Sequence, residues 1–189
     1  LREQSRQPAP GDAVVVLANP SYTAGEVRYF LGDAEPTVFV CRPELLEPMR
    51  ALADELGVPQ VVSLGEAGEG SPTERTRAAS PGFADVPRDR DDLAAILYTS
   101  GTTGRSKGAT LSHGNLASNA RALRQAWRFT PGDRLLHALP IFHTHGLFVA
   151  TNVTLVTGGS MILLPRFDAG EIVRLLPEAT VMMGVPTFY

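Results

Sequence analysis

Along this chain, short apolar runs alternate with segments whose apolar residues recur every three or four positions. "AVVVLA" (13–18) is continuous, short and β-branched, the pattern of a buried strand. "TAGEVRYFLGDA" (23–34) predicts a helix, opened by Thr23 as N-cap with Glu26 three residues on, a capping-box spacing. "TVFVC" predicts a strand, and "PELLEPMRALADELG" a helix that ends at Gly57 and whose period is interrupted at Pro48. "QVVSL" is a further strand. From Gly65 to Asp92 the periodicity vanishes among Gly, Pro, Ser, Arg and Asp, so this stretch reads as a long surface connection. "LAAILY" (93–98) is again a strand. "SHGNLASNARALRQAW" (112–127) predicts a helix with Leu116, Ala120, Leu123 and Trp127 on one face. There follow a strand in "RLLHALPI", an apolar helical segment in "GLFVATNVTLV", a turn at Gly158-Gly159, and a strand in "SMILLP". "AGEIVRLLP" is a short helix and "TVMMGV" a last strand. Strands alternating with helices imply βαβ units, hence an α/β fold with a mainly parallel sheet flanked by helices.

Composition changes this picture little. The 189 residues are 43% hydrophobic and 20% charged with a net charge of −3, an ordinary globular balance that gives no reason to expect nucleic acid or an anionic membrane as partner. No apolar run is long enough to span a bilayer. The single Cys41 excludes an internal disulfide and fits a reducing, cytoplasmic setting; within "TVFVC" it reads as a buried structural thiol. The chain opens on Leu1 and the polar "REQSRQPAPGD", and closes on "ATVMMGVPTFY" directly after an apolar strand. It is therefore expected to be a piece of something longer.

The chemistry concentrates in "YTSGTTGRSKGA" (98–109). Glycines let backbone N–H groups approach an anion, hydroxyls add donors, and Lys107 supplies a flexible positive charge, a set suited to polyphosphate. The spacing is not that of the common nucleotide loops. Five residues after Gly101 stands Ser106 rather than glycine, Lys107 is followed by Gly108, and Gly101 and Gly104 are three apart, so neither G-x4-G-K-[ST] nor G-x-G-x-x-G is met.

"LYTSGTTGRSKGA" resembles the signature loop of the adenylate-forming acyl-CoA synthetase superfamily, the AMP-binding enzymes. The resemblance implies that Thr99, Ser100, Gly101, Thr102, Thr103, Gly104 and Lys107 hold the phosphates of ATP while a carboxylate attacks the α-phosphate. "LPIFHTHGL" (139–147) resembles the same superfamily's Leu-Pro-x-x-His segment, which implies that His143 borders the acyl pocket. His113 and His137 have no such support and read as surface or core residues.

"FHTHGLFVATNVTL", "GSMILLPRFD" and "ATVMMGVPTFY" together look like malonyl-CoA synthetases, which join malonate or methylmalonate to CoA. A dicarboxylic acid keeps one carboxylate ionised while the other is activated, and that charge needs a partner in the pocket. Arg166 is the candidate, with His145 as a second polar group. Another carboxylic acid, or a non-catalytic remnant of the fold, are the alternatives that the residues leave open. The resemblance implies ATP, Mg2+ and CoA as substrates and cofactor. It also implies part of an N-terminal domain, organised as a polar start (1–12), a βαβ portion (13–64), a surface linker (65–92) and a phosphate-loop and acyl-pocket portion (93–189). The positions that in that family bind ribose and metal, and the mobile C-terminal domain, match nothing in these residues. The chain alone is thus expected to hold no metal site and to lack synthetase activity.

Overall fold

The computed structural model of the chain describes residues 15, 16, 18–79, 82, 86–99 and 106–188. In order, the elements are β1 (Val15–Val16), α1 (Ala24–Ala34), β2 (Val38–Cys41), α2 (Leu46–Glu55), β3 (Gln60–Ser63) and α3 (Ser71–Ala78). Then come β4 (Leu93–Thr99), β5 (Lys107–Ser112), α4 (His113–Trp127), β6 (Arg134–His137), α5 (Asn152–Thr157), β7 (Ser160–Leu163), α6 (Ala169–Leu175) and β8 (Val181–Met183). They form two units, Pro20–Asp85 and the remainder.

In the smaller unit, α1 starts where its capping residues dictate. The Thr23 hydroxyl accepts the Glu26 N–H at 3.3 Å, and the Glu26 carboxylate accepts the Thr23 N–H at 2.8 Å. Pro48 does not kink α2. The chain first makes a 3-10 turn over Pro43–Leu45, so Pro48 falls in the first turn of α2, where a missing N–H removes no helical bond. Apolar residues of both helices, Leu31, Met49, Leu52 and Ala53, bury together with Val58 against parallel β2 and β3. Cys41 is half-buried beside this core; burial pushes its thiol pKa up, with Glu44 adding to and Arg50 opposing the shift. A thiol so placed is a weak nucleophile, in keeping with a structural role. The stretch read as a bare connection contains α3, none of whose residues is buried.

In the larger unit, β1 pairs in parallel with β4, Val15 opposite Ala95, so the strand of 13–18 joins the sheet of the later segment rather than β2. β4 continues into an antiparallel partner, β5, that the apolar pattern did not announce. The third sheet has the order β7-β6-β8, all parallel. Its central strand is buried on both faces. Leu135 packs with Phe129, Leu139, Ala150, Val153 and Met183, while Leu136 packs with Ala138, Ile172 and Leu175. Trp127, expected on the apolar face of α4, is 47% exposed; Phe129, beyond the helix end, takes the core position instead. The pairings are thus mainly parallel and flanked by helices, as the α/β reading requires.

Asp133 ties the start of β6 to the start of β8. Its carboxylate accepts the Thr130 N–H at 2.7 Å, the Thr130 hydroxyl at 2.9 Å and the Thr180 hydroxyl at 2.9 Å, while Thr180 accepts the Arg134 N–H at 2.9 Å. The backbone N–H of Thr130 foremost, then the two hydroxyls, hold its carboxyl below the ordinary value of 3.8. A carboxyl lowered on folding stabilises at pH above its unfolded value, and that contribution is lost as pH falls through the folded value. The urea midpoint is therefore expected to drop as pH falls below 3.8, and Asp133→Asn to flatten that part of the profile. An unchanged profile in the variant would remove Asp133 from the acid response.

Candidate functional site

The proposed phosphate loop falls between β4 and β5, which pair antiparallel. Thr99 and Lys107 are cross-strand partners, and the Thr99 hydroxyl donates to the Lys107 carbonyl at 3.5 Å. Both side chains are exposed where the chain leaves and re-enters the paired strands. Ser100, Gly101, Thr102, Thr103 and Gly104 lie outside the described residues. β5 leads directly into α4, with Ser112 as N-cap: the Asn115 N–H donates to its hydroxyl at 3.2 Å, and Asn115 Oδ1 accepts the Ser112 N–H at 3.0 Å. A strand therefore separates the loop from the helix that the sequence reading placed next.

His143, His145 and Arg166 lie elsewhere, on segments that follow parallel strands. β6, β7 and β8 run parallel, so the segments that leave them emerge at one edge of the sheet. His143 and His145 follow β6, Arg166 follows β7, and Pro186–Phe188 follows β8 as a 3-10 turn. The chain leaves β6 for β7 on one side and then crosses to β8 on the other. The carboxyl end of such a strand is where open α/β sheets bind ligands. The segments after β7 and β8 meet there, since the rings of Phe167 and Phe188 stack with centroids 4.0 Å apart. Arg166, beside Phe167, is exposed. Among the described residues, no hydrogen bond or ion pair joins Thr99 or Lys107 to these three.

His143 sits in a tight turn. Its N–H donates to the Pro140 carbonyl at 3.2 Å, its own carbonyl accepts the Leu147 N–H at 3.0 Å, and its exposed ring lies 4.6 Å from that of Phe142. His145 is half-buried and begins a π-helical segment, His145–Thr151, that runs into α5. π-turns of this kind are rare and frequently stand at functional sites. Gly146 explains how the turn and the helix come so close: a Cβ there would stand 2.2 Å from the Pro140 carbonyl oxygen, which backbone cannot tolerate.

His113 is exposed at the start of α4, and His137 is 1% exposed in the core. His137 nevertheless contacts the site's scaffold. Its Nε2 lies 3.0 Å from the Gly146 carbonyl and 3.2 Å from the Thr151 hydroxyl. Gly146, Thr151 and His137 were not singled out as site residues from sequence. The adjacency of a glycine to "FHTH" was the available signal. Among the described residues no group of three His, Cys, Asp or Glu side chains is arranged to hold a metal ion. No described helix is long and apolar enough to cross a membrane.

Comparison with known proteins adds to this geometry. A family model described as AMP-binding enzyme matches residues 11–189. The mitochondrial malonate–CoA ligase ACSF3 of Mus musculus is 37% identical over 172 residues, covering 87% of this chain and 28% of that protein. Among solved structures, ATP-bound MatB from Rhodopseudomonas palustris is 57% identical with a TM-score of 0.89, covering 93% of this chain and 35% of that one. A malonyl-CoA ligase solved as a ternary product complex with methylmalonyl-CoA and AMP is 32% identical with a TM-score of 0.73, at 93% and 35% coverage. The chain thus spans about a third of the length of the proteins it matches.

Proposed function

This chain belongs to the AMP-binding enzyme family, and from that premise we propose that the full-length protein carrying it activates malonate or methylmalonate with ATP and transfers the acyl group to CoA. The observation that carries this reading is the sheet edge shared by His143, His145 and Arg166 in a chain similar to a malonyl-CoA ligase that holds methylmalonyl-CoA and AMP. A cytoplasmic acid–thiol ligase acting on a small dicarboxylic acid fits the residues best.

In this reading a carboxylate oxygen of the acid attacks the α-phosphorus of ATP. The bond to the bridging oxygen breaks, leaving an acyl-adenylate and pyrophosphate. The CoA thiolate then attacks the acyl carbonyl and AMP leaves. Thr99, the loop through Gly104, and Lys107 spread the charge of the departing pyrophosphate over fixed donors, so positioning and electrostatics supply the rate. The β4–β5 pair suits that task because it anchors both ends of the loop in paired backbone. His143 borders the reacting acyl group, and Arg166 pairs with the carboxylate that is not activated, assisted by His145. Mg2+, where bound, would offset phosphate charge, and the described residues offer no carboxylate cluster to hold it.

Lys107→Ala is expected to slow malonate-dependent ATP–pyrophosphate exchange roughly tenfold, as loss of one charge-assisted contact to the leaving group. The acid's KM should stay near its original value. A fall in affinity for the acid with an unchanged rate would move Lys107 out of the phosphate role.

A further inference from the structure

We propose that His137 and Thr151 are positioning residues that fix the Gly146 carbonyl and, through it, the turn that carries His143. The inference rests on the reading of His143 as a residue of the acyl pocket. Three contacts converge on one oxygen and its surroundings. The Thr151 hydroxyl donates to the Gly146 carbonyl at 2.9 Å, bridging five residues and so reinforcing the wide π register. His137 Nε2 approaches the same oxygen at 3.0 Å from the end of β6. On its other side the Gly146 backbone lies directly against Pro140, whose carbonyl accepts the His143 N–H. Nothing as large as a methyl group fits between the clamped glycine and the turn.

The protonation pattern follows from donor chemistry. A carbonyl only accepts, so the ring nitrogen facing it, Nε2, carries the hydrogen. The one hydroxyl proton of Thr151 is already committed to Gly146, which leaves its oxygen free to accept a share of the same N–H at 3.2 Å. Nδ1 is then the bare nitrogen, and it is buried without a hydrogen-bond partner among the described residues. For packing alone that is a poor choice, since an apolar side chain in this core leaves no polar atom unpaired. What histidine provides that leucine lacks is the Nε2–H donor aimed at Gly146. A π-turn is a rare departure from the regular helix, so a clamp on its carbonyl favours the wide register over the ordinary one. A shift of one residue in that register would carry the His143 turn with it.

The test uses the full-length protein, with malonate, ATP and CoA. His137→Leu is expected to lower kcat by about ten- to a hundredfold while KM for ATP holds, the size of effect that an ångström-scale misplacement produces. His137→Gln, whose amide can present an N–H near the Nε2 position, should recover most of that loss. Thr151→Val should lower kcat and Thr151→Ser preserve it, and this pair carries the test if His137→Leu does not fold. Nitrogen-15 spectra of the native protein should show His137 with hydrogen on Nε2 and a bare Nδ1. His143→Ala, measured alongside, separates the two levels: if it leaves turnover intact, the pocket reading fails. If it abolishes turnover while folded Thr151→Val retains native kcat, the positioning role is overturned. Hydrogen on Nδ1 of His137 would overturn it as well.

Discussion

Gly146→Ala is expected to destabilise the protein by about 1–3 kcal/mol, the usual cost of overpacking, and to lower its turnover roughly a hundredfold through displacement of the reacting groups. The added methyl would lie 2.2 Å from the Pro140 oxygen, 2.8 Å from its carbon and 3.3 Å from the Ile141 Cα. All three are backbone, so no side chain can swing aside. Either the π-turn or the 140–143 turn must move, and both carry candidate site residues, His145 and His143. Gly25→Ala is the matched control, because its Cβ would meet nothing closer than the Thr23 hydroxyl at 4.0 Å. Urea unfolding and malonate-dependent exchange read the two effects separately. Native turnover in Gly146→Ala would mean that the position of the turn does not matter to the chemistry.

Arg166→Ala is expected to raise KM for malonate about ten- to a hundredfold, the worth of a charge-assisted bidentate pair. The loss should be selective. A monocarboxylic acid of similar length offers no distal charge, so its kcat/KM should change little and the preference for malonate should shrink. Lysine at this position should restore only part of the affinity, since a point charge cannot match the two parallel bonds of a guanidinium. Equal losses for the two kinds of acid would place Arg166 in a structural role. Exposure of Arg166 at the sheet edge is compatible with either arrangement before substrate binds, which is why the ratio of substrates is the deciding readout.

Much of the fold was legible because its signals are local. Thr23 and Glu26 sit at capping-box spacing and form that box. Continuous apolar runs such as Leu135–Leu136 became central parallel strand, since only burial on both faces satisfies them. Other elements lacked a local signal. α3 is polar all round, so its Ser-Pro start had no apolar period to accompany it. β5 is a short run, "KGATLS", whose residues are exposed or half-buried, and pairing with β4 rather than its own composition makes it a strand.

The segment around α5 is helical as its apolar run implies, but its burial does not follow hydropathy. Thr154 and Thr157 are buried while Leu155 and Val156 are exposed, at 64% and 43%. Each buried hydroxyl donates to the carbonyl four residues back, at 2.9 and 2.7 Å, so its burial leaves nothing unpaired. The candidate site was legible in a different way. Resemblance picked out His143, His145 and Arg166, and the parallel topology places all three at one sheet edge. His137 could not be read in advance, because its partners Gly146 and Thr151 are defined only once the helix takes the π register.

The most direct measurement is AMP formation by the full-length protein, supplied with ATP and CoA and a panel of acids that includes malonate, methylmalonate, acetate, an aryl acid and a fatty acid. AMP and acyl-CoA appearing in equal amounts with malonate or methylmalonate, and far more slowly with the others, is the expected result. ATP bound without any AMP released, or AMP released mainly with a monocarboxylic acid, would contradict the assignment.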